Sequence, residues 1–252
     1  MFRFASLFGM AKSSQRIFYV SSKNKCCFEQ AKRIINVFPN FQPHIYFVDN
    51  SPSNAKFIRL ASSVTKYPGI KRVASEKAQN VVLSGLTCFQ SYKYFHKHHS
   101  IIIKILQFNE NIRQQGSQIA RIIFGSDASH KLCVHIRRTD FFDTHSLLPS
   151  DEYFTKMAIA YVTAKIARTI YKLPADVEPE VEMSFAIDHC DSFIMTASSS
   201  TYAFWIAYLM GEKPIYYRRL TSNSGTNEKD FFRFDAFLPQ WKAIREFARF
   251  AV

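Results

Sequence analysis

The stretch that decides the fold is residues 192–217, which read SFIMTASSSTYAFWIAYLMGEKPIYY. The apolar run over 192–196 predicts a buried strand, and the small polar residues after it predict a turn. Residues 202–210 predict a helix, because Gly211 stands in the C-terminal capping position. A second strand is predicted over 213–217. This order of elements indicates two parallel strands joined by a helix.

The rest of the second half continues the alternation. We predict a buried strand over 132–135, a long helix over 151–172 with Ser150 as its N-cap, and a terminal helix over 239–250. Strands that alternate with helices form parallel sheets with helices on their faces, and ligands of such sheets bind at the carboxyl ends of the strands. Polar clusters that follow these strands are therefore candidate sites.

The first half has weaker patterns. They predict helices over 1–10, 26–38, 101–108 and 112–124 and strands over 43–48 and 80–86. With 252 residues, the chain is long enough for a sizeable core. We predict an α/β fold in two halves, residues 1–130 and residues 131–252.

The formal net charge of +13 comes from basic residues spread along the chain, without a run of five or more like charges. This spread argues against a basic tail. A solvated surface, a local anion pocket and, more distantly, a nucleic-acid-binding face all remain compatible with it. No apolar run approaches the roughly 20 residues of a spanning helix, and no secretory signal is visible.

Five cysteines are present, without a CxxC pair. Cys133 and Cys190 lie in apolar sequence, which predicts buried small hydrophobic residues. One or two disulfides are compatible with the composition, but their pairing is not assigned.

A basic cluster, HIRRTD, starts at the last residue of the strand over 132–135. In an extended segment His135, Arg137 and Thr139 share one side, and Arg138 and Asp140 share the other. Arginine suits a diphosphate, because its planar fork donates two hydrogen bonds and stays charged. Asp140 would hold Arg138 or the loop in place. A purely structural Arg–Asp pair at a strand end is the alternative.

A second polar cluster, Ser199, Ser200 and Thr201, precedes the helix over 202–210. A helix N-terminus offers unpaired N–H groups and the positive end of the helix dipole, which suits phosphate. Ordinary N-capping is the alternative. Since both clusters follow parallel strands, a shared diphosphate pocket is more probable than either feature alone would suggest.

Several chemistries are disfavoured by missing motifs. The chain has no phosphate-binding GxxxxGK[ST] loop, no GxGxxG fingerprint and no Asp-x-Asp pair for a metal-bridged diphosphate. The run from His96 to His99 contains Lys97 and has no acidic or cysteine neighbours, so we interpret it as a solvated segment. Neither a metal nor another cofactor is predicted.

These motifs together resemble the galactoside α1,2-fucosyltransferases, a family with a GT-B-like glycosyltransferase fold. HIRRTD matches the HxRRxD element that this family shares with α1,6- and protein O-fucosyltransferases. The other matching stretches are MFRFASL (1–7), FQSYKYF (89–95), CDSFIMT (190–196), FWIAYL (204–209) and FLPQW (237–241). The resemblance touches most of the chain.

The resemblance implies an inverting, metal-independent transfer of L-fucose from the donor substrate GDP-fucose to the 2-hydroxyl of a terminal galactoside on a glycan. It implies a membrane-anchored enzyme of the Golgi lumen, with an acceptor side in residues 1–130 and a GDP-fucose site in residues 131–252. The alternative is a non-catalytic fragment that at most binds GDP or glycan.

Residue roles follow from the same resemblance. Arg137 would bind the β-phosphate and stabilise the leaving GDP, and Asp140 is a candidate base. The other donor-binding candidates are His135 near guanine or ribose, Arg138 beside the pocket, Ser199, Ser200 and Thr201 at phosphate, and Glu182 at guanine.

Compared with the family, the chain lacks the anchor, the stem, the first strand and a Gly-Asn pair. The segment between Lys172 and Asp191 is also short. These differences predict a shortened chain.

Overall fold

The structure is a computed structural model that describes residues 1–50, 52, 54–60, 64–84, 89–138, 140–141, 147–163, 171–219 and 232–245. The chain forms two compact units. One contains residues 1–109 and 229–238, and the other contains residues 110–228 and 239–252. The roles assigned to the predicted halves stay predictions.

Helices and strands alternate along both units. In chain order they are α1 (Phe2–Ser13), β1 (Tyr19–Ser21), α2 (Lys25–Val37), β2 (Tyr46–Val48), β3 (Lys56–Arg59), α3 (Lys71–Ala74), β4 (Val81–Ser84), α4 (His99–Ile105), α5 (Glu110–Phe124), β5 (Leu132–His135), α6 (Glu152–Thr163), α7 (Pro179–His189), β6 (Ser192–Met195), α8 (Thr201–Leu209), β7 (Ile215–Arg218), α9 (Arg233–Ala236) and β8 (Lys242–Ile244).

The first unit contains two short parallel sheets, β1 with β2 and β3 with β4. Helix α1 begins at the second residue, close to the prediction. Its Gly9 lies against the backbone of Tyr94 and Phe95, where a β-carbon would clash. The strand predicted over 43–48 is shorter, because residues 39–44 form a 3₁₀ helix that starts at Pro39.

The second unit contains one parallel sheet in the order β5-β6-β7-β8. Phe154, Ala158 and Val162 of α6 pack against Ile194 of β6 and Ile244 of β8 in its core. The predicted α/β class, with parallel sheets flanked by helices, is confirmed. The strands predicted over 132–135, 192–196 and 213–217 are all present, within two residues at each end.

The terminal helix predicted over 239–250 is wrong where the structure describes it. Residues 242–244 form strand β8, which pairs with β7, and residues 246–250 lie outside the described residues. Trp241 is buried beside Phe204, with ring centroids 5.3 Å apart. Pairing along the edge of β7 therefore outweighs the local helical pattern.

Helix α6 does not use Ser150 as its N-cap. The N–H of Phe154 donates to Oδ1 of Asp151 at 2.7 Å, so Asp151 caps the helix. Residues 164–170 of the predicted helix lie outside the described residues, and Tyr171 and Lys172 are not helical. Helix α7 (Pro179–His189) was not predicted.

Cys133 and Cys190 form a disulfide, so their assignment as small hydrophobic residues is wrong. Cys133 lies in β5, and Cys190 ends α7 just before β6. Pairing of these parallel strands brings the two Cα atoms within 5.8 Å, a separation that a disulfide spans. Neighbouring residues in sequence give no sign of this pairing.

The run from His96 to His99 is not simply solvated, because its three histidines are half-buried. Nε2 of His98 lies 2.8 Å from the hydroxyl of Ser13. Throughout the described residues, no cluster of three or more His, Cys, Asp or Glu is arranged to hold a metal. The helices in the same ranges are each too short or too polar to cross a membrane.

Candidate functional site

The carboxyl ends of β5, β6 and β7 meet at one edge of the parallel sheet. His135 ends β5, Thr196 follows β6, and Arg218 ends β7. The first predicted cluster directly follows β5, and the second directly follows Thr196. The structure thus places both clusters at the edge that the sequence predicted.

A chain of buried hydrogen bonds fixes the backbone at this edge. The hydroxyl of Thr196 donates to the carbonyl of His135 at 2.6 Å, and the N–H of Arg137 donates to the hydroxyl of Ser150 at 2.8 Å. The two hydroxyls lie 2.6 Å apart. Since the Thr196 hydrogen is already used, Ser150 must donate to Thr196. The segment that carries Arg137 is thereby tied to the end of β6.

We expect Ser150→Ala to reduce the free energy of unfolding by about 1–3 kcal/mol, because it removes the acceptor for the Arg137 N–H. Thr196→Val should cost a similar amount, and the double variant should cost less than the sum, since both residues belong to one chain of bonds. Urea unfolding measures all three. Ser129→Ala, at an exposed residue of the same unit, is the control. Fully additive effects would contradict the coupling.

Asp140 binds Arg137, not Arg138. Its carboxylate accepts from Nε and Nη2 of Arg137 at 2.8 and 2.6 Å. The prediction that Arg138 and Asp140 share a side is wrong, because the chain leaves the extended conformation and is helical at Asp140. Arg138 is exposed, and its charge helps to lower the pKa of Glu152 after the closer Lys156. Thr139 lies outside the described residues.

The ion pair orients Arg137 without using all its donors. Asp140 engages two of the five guanidinium N–H groups, and the Arg137 side chain is 39% exposed. The hydrogen bond to Asp140 raises the pKa of Arg137. Remaining N–H groups can therefore bind an anion while the carboxylate holds the plane of the guanidinium.

His135 is a buried, neutral base beside this arginine. Burial, followed by the charge of Arg137, lowers the pKa of His135 to about 4. Its side-chain Nδ1 has no hydrogen-bond partner among the described residues. A buried polar atom of this kind is costly unless something binds it, so Nδ1 is a candidate ligand contact.

We expect His135 to make the protein less stable in acid. The unfolded state takes up a proton near pH 6.5, whereas the folded state resists it down to about pH 4. Stability should therefore fall by about 1.4 kcal/mol per pH unit across this window because of His135. Urea unfolding between pH 7 and 4.5 should show a shallower decline in His135→Gln. Identical pH slopes in the two proteins would contradict this prediction.

The N-terminus of α8 forms the second part of the site. Ser200 is the N-cap, and its hydroxyl accepts from the N–H of Ala203 at 3.3 Å. Within the described part of the chain, the backbone N–H groups of Thr201 and Tyr202 have no acceptor, and neither has the buried hydroxyl of Ser199. Capping and anion binding are thus compatible here, since different groups serve each.

Tyr202 links this helix to the other candidates. Its ring lies 5.8 Å from that of His135, and its hydroxyl donates to the carbonyl of Pro179 at 2.6 Å and lies 3.2 Å from Glu182. Burial, and then the charge of Glu182, raises the pKa of Tyr202. Glu182 is also close enough to Arg137 to help raise the pKa of Arg137. The structure therefore brings Glu182, His135 and Arg137 together around Tyr202.

Sequence reasoning missed Arg218 and Tyr202. Arg218 is buried at the end of β7, where Nη1 donates to the carbonyl of Pro149 and the guanidinium lies 5.0 Å from the Phe154 ring centroid. The hydroxyl of Ser198 donates to the carbonyl of Arg218. An arginine directly after the predicted strand 213–217 was a usable signal, since it occupies the same relative position as Arg137.

Comparison with known proteins gives distant relatives. No protein-family model matches the sequence, and no solved structure matches it significantly. A galactoside 2-alpha-L-fucosyltransferase of Caenorhabditis elegans is 28% identical over 67% of this chain and 54% of its own length. A putative glycosyltransferase of the same organism is 24% identical over 97% of this chain and 76% of its own length.

A galactoside alpha-(1,2)-fucosyltransferase 2 of Pongo pygmaeus is 23% identical over 65% of this chain and 55% of its own length. This chain thus spans about half the length of two of these relatives. The relatives support a glycosyltransferase, and several of them are fucosyltransferases by name.

Proposed function

We propose that this protein transfers L-fucose from GDP-fucose to the 2-hydroxyl of a terminal galactoside, with inversion and without a metal. The observation that carries the proposal is the arrangement at the carboxyl edge of the sheet. There Asp140 orients a half-exposed Arg137 beside a buried neutral His135 and an open helix N-terminus. The names of the relatives support the donor and acceptor classes.

The diphosphate is the part of the donor that this arrangement suits best. Arg137 would donate to the β-phosphate, and Ser199, Thr201 and the first N–H groups of α8 would contact phosphate oxygens. Ser200 would hold the helix start as its cap. Arg138 would add positive charge at the rim. Such fixed charges stabilise a leaving diphosphate without rearranging during the reaction.

The nucleoside would lie on the Tyr202 side of the phosphates. Glu182 offers a carboxylate that can accept hydrogen bonds from guanine, and His135 offers Nδ1 to guanine or ribose. Because Tyr202 contacts both residues, it would set their spacing. These contacts would select GDP over a nucleotide without N–H donors at the same positions.

In the reaction, the bond between fucose C1 and the β-phosphate oxygen breaks, and its electron pair leaves with GDP. The acceptor 2-hydroxyl oxygen bonds to C1 from the opposite face and loses its proton. Asp140 is a candidate for that proton, but both its carboxylate oxygens already hold Arg137. We therefore assign Asp140 chiefly to positioning Arg137.

The remaining proposals concern context. A GT-B-like arrangement would use residues 1–130 for the acceptor and residues 131–252 for GDP-fucose. The Cys133–Cys190 disulfide favours an oxidising compartment, and the Golgi lumen, with membrane anchoring as in the family, agrees with this. A shortened form without activity, which at most binds GDP or glycan, is the alternative that the partial coverage of the relatives favours.

The test is GDP release from GDP-fucose by the purified chain, with and without a terminal galactoside, in the presence of EDTA. The proposal expects acceptor-dependent release and a product with an α1,2 linkage in its NMR spectrum. GDP binding by calorimetry without any release would support the non-catalytic alternative. Absence of GDP binding at millimolar concentration would refute the donor site itself.

A further inference from the structure

An apolar groove separates strands β1 and β4 in the first unit. Its volume is about 210 Å³, several times what one water molecule needs. Residues 19–21 line one side, Val81, Val82 and Leu83 line the other, and helix α1 covers it. Among the described residues, β1 pairs only with β2 and β4 only with β3. Each strand therefore presents an edge without a neighbouring strand to the groove.

The two edges run in the same direction. Arg16 precedes β1, and its guanidinium donates to the carbonyls of Glu76, Ala78 and Gln79 at 2.5, 3.0 and 3.2 Å. These carbonyls come just before β4. Since one side chain connects the amino ends of both strands, β1 and β4 start at the same end of the groove and point the same way.

Helix α1 runs opposite to these strands. Near its start, Arg3 donates to Sγ of Cys27, which follows the carboxyl end of β1. At its other end, the N–H of Arg16 donates to the carbonyl of Ala11. A strand joined to the start of α1 would therefore lie parallel to β1, as in the common strand–helix–strand unit.

Two polar atoms of the groove are also unsatisfied. The hydroxyls of Tyr19 and Ser21 are buried, and no described residue is within hydrogen-bonding reach of them. Buried hydroxyls without partners destabilise a protein. Exposed strand edges likewise present rows of N–H and C=O groups that bind another strand.

We propose that this groove receives an extended polypeptide segment joined to the amino end of α1. The segment would insert between β1 and β4, in the strand order β2-β1-inserted-β4-β3, and convert two small sheets into one. Strands buried on both faces are apolar, which matches the valines and leucine of the lining. Relatives that match almost the whole chain extend beyond it, so a segment of this kind has a source.

The experiment adds the extension KVIVVGSG before Met1 of the full chain. The matched control, KVPVPGSG, has the same length but has prolines that cannot donate to a strand ladder. Amide hydrogen exchange is measured at residues 19–21 and 81–83. We expect the first extension to slow exchange by about tenfold or more at both strands, since each amide gains or buries a hydrogen bond. The control extension should leave exchange unchanged.

Equal exchange in the two proteins would overturn the proposal, and so would protection of only one of the two strands. Protection that increases with protein concentration would assign the groove to a second copy of the chain and would also overturn it. Residues 46–48 of β2, on the other side of β1, provide an internal reference in every sample.

Discussion

Replacing Arg137 by alanine should lower acceptor-dependent GDP release by about 10²- to 10³-fold. Arg137 is the half-exposed guanidinium at the edge of the sheet, and its charge would stabilise the diphosphate as it leaves. GDP affinity should fall by about 10- to 100-fold, the usual loss for hydrogen bonds to a charged group. Stopped assays of GDP release and calorimetry with GDP measure the two effects separately.

Three further variants make this prediction specific. Arg137→Lys keeps the charge but not the two-point contact with Asp140, so activity should recover only in part. Asp140→Asn should reduce the rate less than Arg137→Ala does. Arg113→Ala removes an arginine of the same unit that pairs with Asp188 elsewhere, and it should change neither measurement. Unaltered GDP affinity in Arg137→Ala would remove the basis of the proposed donor site.

Loss of the Cys133–Cys190 disulfide should lower the free energy of unfolding by about 4 kcal/mol. This follows from the chain entropy of a loop with a sequence separation of 57 residues. The bond joins β5 to the start of β6, so the effect should extend to the strands that carry the site. Urea unfolding of Cys133→Ala/Cys190→Ala, compared with the unchanged protein, measures it.

Cysteines outside the bond provide the control. Cys26 is exposed and Cys27 half-buried, and neither is in a disulfide. Their alanine variants should stay within about 0.5–1 kcal/mol of the parent protein. If the double variant does not fold, titrating the unchanged protein with reductant gives the same answer. Unfolding that is insensitive to reductant would show that the bond does not contribute.

Much of the candidate site was predictable because its parts are local in sequence. His135 and Arg137 follow a short apolar strand, and Ser199 to Thr201 precede an apolar helix with a glycine at its end. Parallel strands then place both segments at one edge. The partner of Asp140 was not predictable, because the choice between Arg137 and Arg138 depends on where the chain turns after β5.

Contacts distant in sequence were also beyond prediction. Glu182 was a candidate only through family resemblance, and its place beside Tyr202 depends on helix α7, which the patterns missed. Strand β8 replaced the predicted terminal helix because β7 offered an unpaired edge. In both cases a neighbour brought close by folding outweighs the preference of the segment itself.

By itself, the sequence determined the α/β class, the strands that end at the site and the residue types that face a diphosphate. Those features depend on periodicity and on neighbours within a few residues. Only the tertiary structure decided that Ser150 holds the backbone of Arg137, that Asp140 orients its guanidinium, and that Cys133 bonds to Cys190. Each of these depends on the exact distance between groups on different elements, which is fixed when the sheet and its helices pack together.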